Sequence, residues 1–389
     1  MSLSITQTPA TCSLVQSPTI FTLTETGTVI YSSSFQYYAD LYYWSGTTAQ
    51  SSSVAEYTLV KYPNASGVGI FDVSRIINST LEDSREENPS NVRYFKIDGY
   101  FRYLSGSLAT PVTSSHTQSA IFKGLDGYQV FPESIGASIT TTTPHWPLMS
   151  SGPVTQSFFN TNTGTIGVFT AGAGVAASVP TKVRIISNTG TTDINVSSSI
   201  SSSQQIQQVP LFPAQTGFPY ASPEYYTIQA FNGATALGTP ILFNNKCEQK
   251  YPNVRIKWKN RFGQFDYFNF DMVNKQSFNT TARGYQPQLG TWTGTSLSYN
   301  SGDSANLNYI VDSKQSISVN TDWIPESYND ILKQLLVSEE VYWIKDESST
   351  TLTPITIATD SITFKTGVND KVIQYGFNFN LGQGYKLIL

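Results

Sequence analysis

VRIKWKNRFGQFDYFNF, residues 254–270, is the stretch that decides the fold class. Val254, Ile256 and Trp258 alternate with Arg255, Lys257 and Lys259. That is the two-residue period of a strand with one face in a core and one in water. Asn260-Arg261-Phe262-Gly263 reads as a turn, with Gly263 free to take a positive φ. A second aromatic strand follows from Phe265 to Phe270. The stretch predicts a β-hairpin whose inner face is Ile256, Trp258, Phe268 and Phe270. It carries no catalytic pattern.

Composition extends this reading to the whole chain. Of 389 residues, 13% are charged and 13% aromatic. The charged share is roughly half the ~25% of an ordinary globular protein. Ser, Thr and Asn supply the polarity instead, and β-branched and aromatic residues among them favour sheets. The length predicts two or three domains. With 23 basic against 27 acidic side chains the formal charge is −4. No basic stripe is present, so nucleic acid is not an expected partner. Cys12 and Cys247 cannot build a disulfide framework; they are read as two buried thiols, with a single bridge as the alternative. Met1 to Ala10 has neither a basic start nor an apolar run, and no window approaches a membrane span. The expectation is a soluble protein made in a cytoplasm.

Three β domains are expected in chain order. Residues 1–110 form the first, with strands at Thr19–Thr24, Leu41–Trp44 and Glu56–Lys61. A short helix after Asp72 is expected to use that residue as its cap. Val92–Ile97 and Tyr100–Leu104 flank Asp98-Gly99, which signals a hairpin or a bend in one long strand. Residues 111–250 form the second domain. Its first part, about 111–180, reads as long polar Ser/Thr/Gly-rich loops or an arm ordered only on docking. His116 and His145 lie there and are expected in solvent, without the further ligands a metal needs. Residues 251–389 form the third domain, a β core carrying one helix. Ile324, Tyr328, Ile331, Leu332 and Leu335 fall on one helical face, with Pro325 in the first turn and Ser338 near the end. Asn329, Lys333 and Gln334 occupy the other face. Its low charge suggests an assembly interface covered by a neighbouring subunit.

No nucleophile elbow and no phosphate-binding glycine loop occurs, and no cofactor or metal is expected. Asp266 and Asp271 beside aromatics are the one hint of a glycosidase pair; a turn or solvated role is the competing reading.

Several stretches carry a family resemblance: Ser17-Pro18-Thr19-Ile20-Phe21, Phe71-Asp72-Val73-Ser74-Arg75-Ile76-Ile77, Asp126-Gly127-Tyr128, the 254–270 hairpin, and Lys365 to Phe379. Through them the chain resembles a group of virion structural proteins of tailed phages infecting Bacteroidota, including crAss-like and flavobacterial phages. In that group the turn reads Asn-Arg-Phe-Gly-Gly-Phe-Asp; Gln264 stands here at the second glycine. The resemblance implies tandem β-sandwich-like domains, the last one with a helix on its sheet like tail-tube and distal-tail proteins. It also implies a non-enzymatic ring subunit of tail, baseplate or neck, located in the virion and contacting itself and other virion proteins. A receptor- or glycan-binding fibre or head-decoration protein, meeting a host glycan, is the alternative, and a glycan depolymerase the third reading.

Overall fold

A computed structural model describes residues 2–45, 50, 52–81, 92–105, 110–130, 136–137, 139, 143–170, 179–196, 206–246, 250–347, 352–359, 361–366 and 373–382. It is mainly β, 49% strand against 7% helix, and is built from several sandwich-like sheets in tandem. Cys247 lies outside the described residues.

The first sandwich follows from alternation. Leu3–Gln7, Ile20–Glu25 and Val68–Asp72 form one sheet; Cys12–Leu14, Phe122–Leu125, Val92–Tyr103, Gln36–Trp44 and Tyr57–Lys61 lie side by side in the other. Phe21, Leu23 and Phe71 from the first meet Tyr37, Leu41, Phe95, Ile97, Phe101 and Phe122 from the second in one buried cluster. Phe21 packs edge-on to Phe122 and Phe95, at 5.3 and 6.2 Å between ring centres. Each such side chain stabilises by about 1.5–3 kcal/mol. Asp98-Gly99 makes no turn here: Val92–Tyr103 runs through it as one strand. Gly99 is required by packing, because a Cβ there would sit 2.8 Å from a Leu23 methyl. The helix after Asp72 is Ser74–Ser79, and Asp72 Oδ1 accepts from Ser74 N at 3.0 Å and Thr19 N at 3.1 Å.

The described residues between 143 and 170 belong to the core rather than to a polar arm. With Ile139, they supply Trp146, Leu148, Met149, Phe158, Phe159, Ile166, Val168 and Phe169, all buried. Scattered apolar groups suffice because they enter a core already lined by others: Ile139, Trp146, Met149 and Phe169 join Cys12, Leu14, Val92, Leu125, Ile206 and Phe262. His145 is buried, not solvated, with ring nitrogens 2.8 Å from Thr239 O and 2.9 Å from Gly152 O. Cys12 is a free thiol, and burial pushes it up to about 12. Beyond this core, a five-stranded sheet orders Thr155–Phe158, Thr235–Asn245, Tyr225–Asn232, Lys182–Ser187 and Gly190–Asn195. Tyr226 sits at its centre, stacked on Phe243 and donating to Leu211 O at 2.6 Å.

A seven-stranded sheet orders Phe265–Phe270, Val254–Lys259, Val341–Ile344, Leu352–Ile357, Gly376–Leu381, Leu307–Asn320 and Lys275–Tyr285. Ile256, Trp258 and Phe270 are fully buried, whereas Phe268 is only half-buried. The expected wet face of the hairpin is also inside. Arg255 and Lys257 are buried, because partners elsewhere in the chain receive them. Arg255 meets both carboxylate oxygens of Glu347, at 3.0 and 3.1 Å, and lies over the Tyr267 ring.

The chain divides into two compact units rather than three consecutive domains. One comprises Met1–Cys247, Trp258–Asp266 and Ser327–Glu339; the other comprises Glu248–Lys257, Tyr267–Glu326 and Glu340–Leu389. The boundary expected near residue 110 is absent because the Cys12–Phe262 core spans it. The turn of the hairpin belongs to the first unit, interlocked with a second turn. Gly263 has φ +71°, and a Cβ there would lie 2.4 Å from Asp126 O. Gly127, with φ +130°, approaches Arg261 O as closely, while Tyr128 N donates to that oxygen at 2.9 Å. The C-terminal helix is a 3-10 turn, Glu326–Tyr328, continued by α-helix Asn329–Val337. It too belongs to the first unit, with Tyr328, Ile331, Leu332 and Leu335 buried.

Candidate assembly surface

Lys275–Tyr285 and Leu307–Asn320 pair antiparallel from Lys275↔Ser318 to Tyr285↔Leu307, with one irregularity after Arg283. Between them in sequence, Thr291–Trp292 and Leu297–Ser298 form a separate small hairpin, closed by Thr293 N donating to Ser296 O at 2.9 Å. Alternating Thr, Ser, Asn and aromatic residues favour extended chain. What is unusual is the exposure: every residue of Lys275–Tyr285 is exposed, as is everything from 291 to 309. The exposed apolar side chains include Phe278, Tyr285, Trp292, Tyr299 and Tyr309, the last four between 51% and 67% exposed. Charge is sparse: only Lys275, Arg283, Asp303, Asp312 and Lys314 between 275 and 320.

A two-stranded ribbon with both faces in water is marginal by itself. Lys275–Tyr285 is also the last strand of its sheet, so its outer N–H and C=O groups are a template for pairing. With Leu289, Leu297 and Leu307, the exposed parts of the large side chains add to roughly 800 Å², taking ~200 Å² for a large side chain. That is about what one partner contributes to a standard specific interface, ~800 Å². The sequence reading passed over this region because its apolar residues are spaced by Thr, Ser and Gly. Phe278, Thr280 and Ala282 do alternate with Asn279, Thr281 and Arg283, and that was the available signal.

Of the three helix residues read as an assembly interface, only Lys333 is exposed. Asn329 and Gln334 are buried within the chain's own fold; Lys333 is exposed and pairs with Asp330 at 3.0 Å. Gln334 faces inward because polar partners await it. Its Oε1 accepts from Arg261 N at 3.1 Å and from Ser151 Oγ at 2.7 Å. Ser151 Oγ also lies 2.8 Å from Asp266 Oδ2, while Ser150 Oγ donates to Asp266 Oδ1 at 2.7 Å. One hydroxyl proton cannot serve two acceptors. A protonated Asp266 donating to Ser151 Oγ satisfies both. Complete burial raises this carboxyl's pKa, against hydrogen bonds from Ser150, Ser151 and Asn260 that lower it. Asp266 is thus a buried structural group, and Asp271 falls in the other unit.

Among the described residues no group of three or more His, Cys, Asp or Glu is placed to hold a metal. His116 lies 3.2 Å from Asp98 and stacks on Tyr100. No helix among them is long and apolar enough to cross a membrane. No family model matches the chain, and no curated protein matches it in sequence.

Proposed function

We propose that the chain is a non-enzymatic structural subunit of a bacteriophage virion, joining copies of itself into a ring of the tail, baseplate or neck. The observation that carries the assembly reading is the ribbon, exposed at every residue of 275–285 and 291–309 and rich in Tyr and Trp. Those residue types are enriched where proteins meet. Low charge lets such a surface be desolvated without stranding ions. Its edge suits strand addition onto a second copy, with main-chain hydrogen bonds giving strength and aromatic side chains giving register. A ring needs one patch to meet a different patch on the next copy, and a ribbon projecting one edge fits that geometry. The virion assignment rests on the family resemblance of the 254–270 hairpin, the 71–77 segment and Asp126-Gly127-Tyr128.

The test has two arms. Sedimentation of the purified full chain should show concentration-dependent association, and Trp292→Ser with Tyr299→Ser should abolish it while melting stays unchanged. Mass spectrometry of purified particles should find the chain at structural copy number. Association unaffected by the double substitution refutes the ribbon as interface; absence from particles refutes the virion role.

A further inference from the structure

A ring subunit whose ribbon is a donor strand must carry an acceptor elsewhere on its surface, and the first sandwich has an open flank. Tyr57–Lys61 ends one of its sheets and Val68–Asp72 ends the other, and these two strands touch. Four of the five residues of Tyr57–Lys61 are exposed. Tyr57, Val60, Tyr62 and Ile70 hold apolar surface in water there, between 43% and 65% exposed. Sheet ends are normally guarded by lysines, prolines or a covering segment. This strand has one lysine, at its last position, and no proline. Gly190–Asn195, which ends the five-stranded sheet, offers less. It exposes no large apolar side chain, and its Asp193 is held by Lys182 and Arg184, each at 2.7 Å.

The faces of the two strands match in one register. Tyr57, Leu59 and Lys61 pair with Leu41, Ala39 and Tyr37, all core residues, so they share the inner face; Thr58 and Val60 share the outer one. On the ribbon, Phe278, Thr280 and Ala282 share one face, and Asn279, Thr281 and Arg283 the other. An antiparallel addition with Ala282 opposite Tyr57 continues the inner face with Ala282, Thr280 and Phe278. It continues the outer face with Thr281 and Asn279. The same register brings Arg283 to Glu56. Both are exposed, and among the described residues neither has an ion partner within the chain. Opposite charges so placed fix register and suppress the wrong partner.

We propose that the flank at Tyr57–Lys61 is the acceptor for the ribbon of a second copy, whose Lys275–Tyr285 adds antiparallel to it as a new end strand with Arg283 on Glu56. This rests on the assembly reading above, and it makes the contact heterologous rather than ribbon on ribbon. Sedimentation of the full chain at low salt compares the wild type, Glu56→Arg, Arg283→Glu and an equimolar mixture of the two variants. Each variant alone sets like charges together at every contact. It should associate about tenfold or more weakly, with melting unchanged because both positions are exposed. The mixture should recover most of the association. In it the new arginine of one variant meets the new glutamate of the other, and their unchanged patches meet at the alternate contact. Association untouched by Glu56→Arg overturns the proposal, and so does a loss that mixing fails to restore. If Trp292→Ser with Tyr299→Ser abolishes association while Glu56→Arg does not, the ribbon is the interface and its acceptor lies elsewhere. If the wild-type chain never associates, both readings fall together.

Discussion

Two antiparallel pairs in this chain start from similar sequence and end in opposite environments. The hairpin at 254–270 and the ribbon at 275–320 are both aromatic and punctuated by glycine. The hairpin is buried on both faces along most of its length; the ribbon is exposed throughout 275–285 and 291–309 and enters the core only at its base, through Ile317 and Val319. Charge does not explain the contrast, because the hairpin packs five charged side chains into 17 residues and the ribbon spreads five over 46. The difference lies in prepared partners. Arg255 has Glu347 and Tyr267, Lys259 has Asp126 at 2.5 Å, and Asp266 has two serines. Among the described residues no ion pair serves Arg283, Asp312 or Lys314. A strand pair is drawn inside when its polar groups find mates as well as when its apolar groups do.

The contrast can be attacked first at Trp258. It is fully buried, and truncating such a side chain costs about 3–5 kcal/mol. Trp258→Ala should leave the full chain insoluble or melting far lower, read by calorimetry. An unchanged melt would mean the hairpin is no more embedded than the ribbon.

Next is Gly263→Ala at the interlocked turn. A left-handed conformation costs an L residue roughly 1–2 kcal/mol, and the new Cβ would press on Asp126 O. A loss of about 2–4 kcal/mol in urea unfolding is expected once overpacking is included. The same substitution at Gly294, whose φ is +93° but which has nothing within 4 Å, should cost only the conformational part.

Asp266 sharpens the comparison through pH. Its folded pKa is raised above the unfolded value of ~3.9. The folded state then binds the proton more tightly, so stability is greatest below the unfolded value and falls as pH rises through the folded one. Asp266→Asn, whose amide can donate to Ser151 Oγ as the protonated acid does, should remove that slope. Unfolding measured from pH 4 to 8 checks this, and an identical slope in the variant would show that Asp266 is not its source.

The smallest effect belongs to the ribbon. Trp292→Ser alone should change stability by no more than ~0.5 kcal/mol, because a surface residue loses little. A larger drop would show that the ribbon is already packed in the single chain.

How far the sequence could be read depended on where each residue's partner lies. The alternation of Ile256 and Trp258 is local, and so is the helical spacing of Tyr328, Ile331, Leu332 and Leu335. Both were visible. Arg255 and Lys257 looked like a solvated face because Glu347, the acid that takes Arg255 in, is 92 positions away. Gln334 looked like an outer-face residue because Ser151 and Arg261 cannot be seen from the helix. Gly99 read as a turn because its neighbour Leu23 lies on another sheet. The ribbon and the open flank at Tyr57–Lys61 were missed for a different reason. Each is defined by what surrounds it, and alternation or charge within a window carries no trace of that.

The unit that the chain begins is left unfinished while the other is entered. Residues 258–266 and 327–339 are needed to complete what residues 1–247 start. Phe262, in the Cys12 core, and the helix at 329–337 emerge from the ribosome late. Between Cys247 and Glu339 lie about 90 residues, or roughly 5–20 s of synthesis. The slot for Phe262 stays open for the first part of that interval, and the seat of Ile331, Leu332 and Leu335 stays bare through all of it. A nascent chain paused there offers a chaperone a defined hydrophobic groove. A fragment ending near residue 250 would carry the same groove permanently, so cutting the protein at its apparent domain boundary would yield a sticky half rather than a domain.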